Sequence, residues 1–190
     1  MPDSRGQESA PFELLVAVIV MTFVIAAGLG ATQFLMQEQC KGEMGSQMEQ
    51  IKTAIETVAK GRGKANVSFT MPSCFRPSES PSCSYASDPN ASRLCIKDTD
   101  SKQTCAYYCG GSQRSCTLLI FTSPDYSNIS CLRISPLTQF FTQSPCEERT
   151  GWELQDWMAN SIQQGQYSLV NAFSLANDNP YVCAYRRVNS

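Results

Sequence analysis

Histidine is absent from this chain of 190 residues, and charged residues make up only 17% of it. Without histidine, the Ser-His and Cys-His pairs of nucleophilic catalysis and all histidine-containing zinc sites are excluded. The net charge of -2 provides no basic excess to neutralise nucleic-acid phosphates. The adjacent carboxylates of Glu147 and Glu148 should diverge, and no glycine-rich phosphate loop is present. We therefore expect neither an enzyme nor a nucleic-acid partner.

Cysteine, by contrast, is abundant, and ten residues in a chain of this size are unusual for the reducing cytosol. The cysteines are Cys40, Cys74, Cys83, Cys95, Cys105, Cys109, Cys116, Cys131, Cys146 and Cys183. The closest spacing is Cys105 to Cys109, and the absence of a C-x-x-C pair argues against zinc, an iron–sulfur cluster or a thiol oxidoreductase. We predict disulfides in an exported domain, with no metal and no cofactor. The spacing does not determine their connectivity.

A long apolar run lies near the N-terminus, from Leu14 to Ala31, and continues to Met36. At 1.5 Å per residue, Leu14 to Met36 would span roughly 34 Å as a helix, enough for a hydrocarbon core of about 30 Å. A cleaved secretory signal peptide is the competing interpretation. It is disfavoured because such peptides have a basic leader and a shorter apolar region. We therefore predict a membrane-spanning helix.

Glu13 stands at the edge of this apolar run. One interpretation places its carboxylate at the level of the lipid headgroups. The other places it within the bilayer, where a carboxylate costs several kcal/mol unless it is paired, here with a neighbouring subunit. Composition alone leaves both open.

A stalk helix is predicted after the anchor, because apolar residues recur at steps of three and four. The stripe consists of Cys40, Met44, Met48, Ile51, Ile55 and Val58. Gly61 is a suitable C-terminal cap, so one helix should run from about Phe12 to Lys60. Packing against the following domain is favoured over a coiled coil. Cys40 would then link the stalk to the head by an intramolecular disulfide, which we favour, form a disulfide with another chain, or remain a buried free thiol.

The remaining residues, 64–190, alternate short β-rich runs with clusters of turn residues, which predicts an antiparallel sheet. The expected strands are Asn66–Thr70, Arg93–Lys97, Thr104–Tyr108, Cys116–Thr122, Ile129–Ile134, Gln166–Phe173 and Tyr181–Arg187. An Asn-Asp-Asn-Pro turn at residues 177–180 should join the last two. One short helix is expected after a capping box from Thr150 to Glu153. Its apolar face would consist of Leu154, Trp157, Met158 and Ile162. The predicted fold class is α+β, a long N-terminal helix packed on a disulfide-rich antiparallel β head.

Three N-glycosylation sequons occur, at Asn66, Asn90 and Asn128. All three lie in the predicted head and none in the stalk. Such tripeptides arise by chance, but their placement agrees with an exported, glycosylated surface.

The N-terminal segment, with Arg5-Gly6-Gln7-Glu8-Ser9 followed by Phe12-Glu13-Leu14-Leu15-Val16-Ala17-Val18-Ile19, resembles the class III signal peptides of archaeal type IV pilin-like proteins. The resemblance covers roughly residues 1–60. It implies that a prepilin peptidase cuts between Gly6 and Gln7 and leaves the apolar helix on the mature protein. It also implies that Glu13 is the acidic residue that the family uses in assembly. Glu13 would be the seventh residue of the mature chain, whereas the family pattern has the fifth.

Four segments follow from these patterns: a leader (1–6), a hydrophobic helix (7–36), an amphipathic stalk (37–63) and a disulfide-rich head (64–190). The function expected from the resemblance is that of a structural subunit of an archaeal surface filament with an adhesive role. Its partners would be the membrane, the prepilin peptidase, and copies of itself or other pilins. The alternatives are a non-polymerising single-pass protein with a binding ectodomain, and a minor pilin or pseudopilin of a secretion or DNA-uptake machine.

Overall fold

The structure, a computed structural model, describes residues 9–61, 63–83, 90–98, 105–110, 116–124, 126–140, 142, 145–172 and 180–188. The chain divides into two compact units, Met1–Gly42 and Glu43–Ser190. The described residues of the first unit are helical throughout. The second unit contains the last part of this helix together with the β head.

A single helix, α1, runs over Ser9–Lys60 and so begins three residues before the predicted start at Phe12. It ends where predicted, with Lys60 in its last turn and Gly61 after it. The last turn of a helix leaves carbonyl groups without intrahelical donors. The side-chain amide of Asn171 satisfies two carbonyls at this end, donating to Val58 O and Gly61 O at 2.9 Å each.

The stalk stripe forms part of the core of the second unit. Met44, Met48, Ile51, Ile55 and Val58 are each no more than 2% exposed. Around this stripe, the Glu56 carboxylate accepts a hydrogen bond from the backbone N–H of Ser135 at 3.0 Å. Packing of the stalk helix on the β head of its own chain is thereby confirmed.

The larger sheet has five strands. They are β1 (Lys64–Phe69), β7 (Gly165–Asn171), β8 (Tyr181–Arg187), β5 (Gln139–Phe140) and β6 (Trp152–Gln155). Strand β7 lies between β1 and β8 with antiparallel pairing on both sides. Strand β8 pairs antiparallel with β6 and parallel with β5, so this sheet is mixed rather than purely antiparallel. Strands β1, β7 and β8 match the predictions, whereas β5 and β6 were not predicted.

The smaller sheet is an antiparallel meander of β2 (Arg93–Asp98), β3 (Thr117–Ser123) and β4 (Tyr126–Ile134). Its centre is fully buried, since Leu118 and Leu119 have no exposed surface. Leu119 pairs with Ile96 of β2 on one side and with Leu132 of β4 on the other. All three strands lie within a few residues of their predicted bounds.

The helix predicted after Thr150 is wrong. Residues 152–155 are instead strand β6, followed by a turn in which the Asp156 carboxylate accepts hydrogen bonds from the N–H groups of Met158 and Ala159. A helix of three turns is marginal without tertiary support, and pairing with β8 supplies that support to a strand instead. Trp157 is buried as predicted, and its ring contacts those of Phe140 and Tyr167.

The strand predicted at Thr104–Tyr108 is also wrong, since Ala106–Cys109 is a short 3-10 helix. Cys105 is bonded to Cys131 of β4 and Cys109 is bonded to Cys116, so both ends of this turn are held by disulfides. Those covalent constraints outweigh the local β preference of the paired tyrosines. The turn between β7 and β8 predicted at residues 177–180 lies largely outside the described residues.

Candidate functional site

The first candidate site is the exposed part of α1, where every residue from Phe12 to Gln39 is exposed. Its large apolar side chains, such as Phe23, which is 74% exposed, lie on all sides of the helix. A helix that is apolar all round is one that a membrane or other helices surround. In the described residues, α1 is the one helix long and apolar enough to cross a membrane.

Polar side chains inside this apolar segment are satisfied locally. The Thr22 hydroxyl lies 2.8 Å from Val18 O and 2.9 Å from Ile19 O, and the Thr32 hydroxyl donates to Leu29 O at 2.9 Å. Such bonds to the preceding turn let a hydroxyl enter lipid without an unpaired donor. The two threonines therefore do not disqualify the segment as an anchor.

Glu13 is the only charged residue between Phe12 and Gln37. Its side chain is exposed, and within the part of the chain that the structure describes it has no ion pair or hydrogen bond. It lines a shallow apolar groove with Val16, Ala17 and Val20, which follow it at helical spacing. Both predicted roles of Glu13 remain predictions. Gly6 and Gln7, the predicted processing residues, lie outside the described residues.

Disulfides hold the head together as predicted, and no cysteine in the described residues is a free thiol. Four bridges join Cys83 to Cys95, Cys105 to Cys131, Cys109 to Cys116, and Cys146 to Cys183, with Cα atoms 5.6 to 6.2 Å apart. Cys40 and Cys74 are also disulfide-bonded, so the alternative of a free thiol at Cys40 is wrong.

Two of these bridges form one small core. Cys105, Cys109, Cys116 and Cys131 are each no more than 7% exposed and cluster with Leu118 of β3. The 3-10 helix that they hold presents Tyr107, 89% exposed, and Tyr108, 51% exposed, at the surface. The sequence contained no signal for this arrangement, because the pairing of the cysteines is not readable from their spacing.

Of the three predicted glycosylation sites, the structure describes the side-chain exposure of Asn66 and Asn90 but not of Asn128. Asn66 is exposed on β1, where alternate residues face outward, and Asn90 is exposed in a turn. Asn128 lies on strand β4, but its side chain is outside the described part. Exposure is a requirement for modification of Asn66 and Asn90 and does not test their occupancy.

Asp98, at the end of β2, has a partly buried carboxyl group. Partial burial raises its pKa from 3.8, opposed by a hydrogen bond with the Thr117 hydroxyl, 3.2 Å from Oδ1. That hydroxyl also accepts from Thr138 N at 2.9 Å and lies 3.0 Å from Thr138 O. The arrangement ties β2 and β3 to the segment before β5 and explains why a threonine is fully buried at position 117.

No protein-family model, curated protein or solved structure matches this chain. Its function is accordingly inferred from its own residues.

Proposed function

We propose that this chain is a structural subunit of an extracellular type IV pilus-like filament. The observation that carries the proposal is the division of one continuous helix. Residues 12–39 of α1 are exposed and mostly apolar, whereas Met44 to Val58 are packed into the head. An apolar helix leaves water either by entering lipid or by packing with other such helices. A filament subunit does both in succession, first as a membrane precursor and then in the filament core.

Processing is the first step of the proposed function. A prepilin peptidase would cut between Gly6 and Gln7 and remove the leader, while α1 stays on the mature protein. Glu13 would then lie near the new N-terminus, in an apolar environment where a carboxylate is stable only with a partner. If a group of a neighbouring subunit neutralises the Glu13 carboxylate, this charge is compensated only when the two subunits are correctly docked.

The disulfide-rich head suits a protein exposed outside the cell. Disulfides persist in oxidising compartments, and each contributes roughly 2–4 kcal/mol by restricting the unfolded chain. A head whose stalk stripe and sheet centres are buried would gain mechanical resistance from such links. The head surface would supply adhesion, and Asn66 and Asn90 would be available for glycosylation.

The offset of Glu13 favours a second candidate, a single-pass membrane protein that never polymerises. Glu13 is the seventh residue after the proposed cleavage site rather than the fifth. A third candidate, a minor pilin or pseudopilin, shares the same processing. Cleavage separates the second candidate from the other two, and copy number within isolated filaments separates the first from the third.

The test is intact mass and N-terminal sequencing of the protein from native membranes and from the sheared surface fraction. A chain that begins at Gln7 and is alkylated only after reduction would support the proposal. A chain that keeps Met1 or Pro2 would contradict it, and a start near Ala31 would indicate a secretory signal. Gly6→Leu should block cleavage, whereas the matched leader variant Ser4→Ala should be processed normally.

A further inference from the structure

A small cavity in the second unit lies where the two sheets approach each other at the ends of β1, β2 and β8. Its volume is about 210 Å³, and its walls include Phe69, Ser78, Arg93, Ser161, Gln164 and Arg186. Among the described residues, its lining includes two arginines and one acidic residue, Glu79, although the chain as a whole has a net charge of -2. Basic side chains therefore outnumber acidic ones in this part of the lining.

Arg93, the first residue of β2, provides a charge that is fixed in the wall. It is only 2% exposed, and its Nε donates to the Ser78 hydroxyl at 3.2 Å. Ser78 is itself 6% exposed, so this contact is shielded from water. A guanidinium does not lose its proton in proteins, and its positive charge is permanent at this position.

Arg186 of β8 holds the second guanidinium in a defined place. Its Nη2 donates to the Gln164 carbonyl at 2.9 Å, and within the described residues it forms no ion pair. The side chain lies across Gly165, whose φ is +155°, and a Cβ atom at that position would come within 3.0 Å of Arg186 Nε. The glycine thus leaves the room that the guanidinium occupies beside the cavity.

We propose that this cavity binds a small oxyanion, namely a carboxylate, phosphate or sulfate group. The planar guanidinium fork matches the paired oxygens of such groups and forms charge-assisted hydrogen bonds with them. The volume is below the roughly 300 Å³ at which pockets for drug-sized ligands begin. It therefore admits a free anion or the acidic group of a single sugar residue. The proposal concerns the head alone and holds whether or not the chain polymerises.

The test uses the full chain, with its disulfides intact, in detergent. Its unfolding midpoint is followed by tryptophan fluorescence in sulfate, phosphate, acetate or glucuronate, with chloride at equal ionic strength as reference. A ligand that binds only the folded state raises the midpoint in a saturable way. Arg186→Gln should shift the half-saturating concentration upward by at least about tenfold, which corresponds to ~1.4 kcal/mol. Arg187→Gln, the same charge change at an exposed neighbouring residue, should leave it unchanged.

Equal midpoint shifts in the wild type, Arg186→Gln and Arg187→Gln would reflect general exclusion of salt from the protein surface and would overturn the proposal. The absence of a saturable shift in the wild type would also overturn it. If Arg186→Gln does not fold, Arg186→Lys is the variant to measure. It keeps the positive charge but lacks the guanidinium fork, so it should also weaken anion binding. If the half-saturating concentration of glucuronate is well below that of acetate, the bound carboxylate belongs to a sugar acid. Tighter binding of sulfate or phosphate would identify a free tetrahedral anion.

Discussion

At the scale of single residues, Tyr167 shows how burial alters chemistry in the head. Its ring lies against Trp157, and its hydroxyl donates to the Gln163 carbonyl. Burial raises its pKa from 10.0 to about 12, because the phenolate would be poorly solvated there; Arg186 and the hydrogen bond to Gln163 oppose the rise. The folded state therefore retains this proton at a pH at which the unfolded chain has lost it.

Stability should consequently fall as the pH rises from about 10 to about 12, since the native state binds more protons than the unfolded state there. At 1.36 kcal/mol per pKa unit the loss attributable to Tyr167 is roughly 2–3 kcal/mol. Tyr167→Phe should reduce this decline, whereas exposed Tyr107→Phe should retain it. Guanidinium unfolding between pH 9 and 12 measures the difference. Identical slopes for the wild type and Tyr167→Phe would contradict this explanation.

Glu13 is the residue on which assembly depends in the proposed function. Glu13→Gln removes the charge but keeps the side-chain size, so membrane insertion should persist while filament yield falls by at least about tenfold. The matched variant Glu38→Gln breaks an exposed ion pair with Lys41, 2.8 Å long, and should assemble normally. Immunoblots of membrane and sheared fractions, with electron microscopy, measure both effects. Normal filament yield from Glu13→Gln would remove this residue from the assembly mechanism.

At the scale of elements, α1 is one helix with two different environments. Its stalk part is stabilised by burial in the head, and Ile51 has no exposed surface. Removal of buried methyl groups costs both transfer free energy and a cavity. Ile51→Ala should therefore lower the free energy of unfolding by about 2–5 kcal/mol. The neighbouring exposed variant Gln50→Ala should change it by less than about 0.5 kcal/mol. Equal effects in denaturant unfolding would show that the stalk is not part of the folded core.

Strand β8 is the element that decides the topology of the larger sheet. Strand β7 covers one of its edges, and the other is shared between β5 and β6. Strand β5 pairs with residues 181–182 of β8 and leaves residues 184–187 to β6. This pairing explains why residues 152–155 form a strand although their spacing is also compatible with a helix. Sequence periodicity describes one segment at a time and does not contain such a pairing.

At the scale of the whole molecule, the disulfides close loops of very different length. Cys146 and Cys183 are 37 residues apart, whereas Cys109 and Cys116 are 7 apart. In the chain-entropy model these loops contribute about 4 and about 2 kcal/mol, respectively. Replacement of Cys146 and Cys183 by alanine should thus destabilise the chain more than replacement of Cys109 and Cys116. Non-reducing guanidinium unfolding of both double variants checks the order. The reverse order would mean that local packing, not loop closure, dominates.

The sequence by itself determined the helix from anchor to stalk, its end at Lys60 before Gly61, the buried stripe from Met44 to Val58, and most strands. These features depend on local periodicity and on caps, which neighbouring residues encode. Only the tertiary structure decided the cysteine pairing, the mixed sheet around β8, and the cavity between Arg93 and Arg186. Residues 93 positions apart in the chain carry no mutual signal in a single sequence, because their proximity results from the packing of whole sheets.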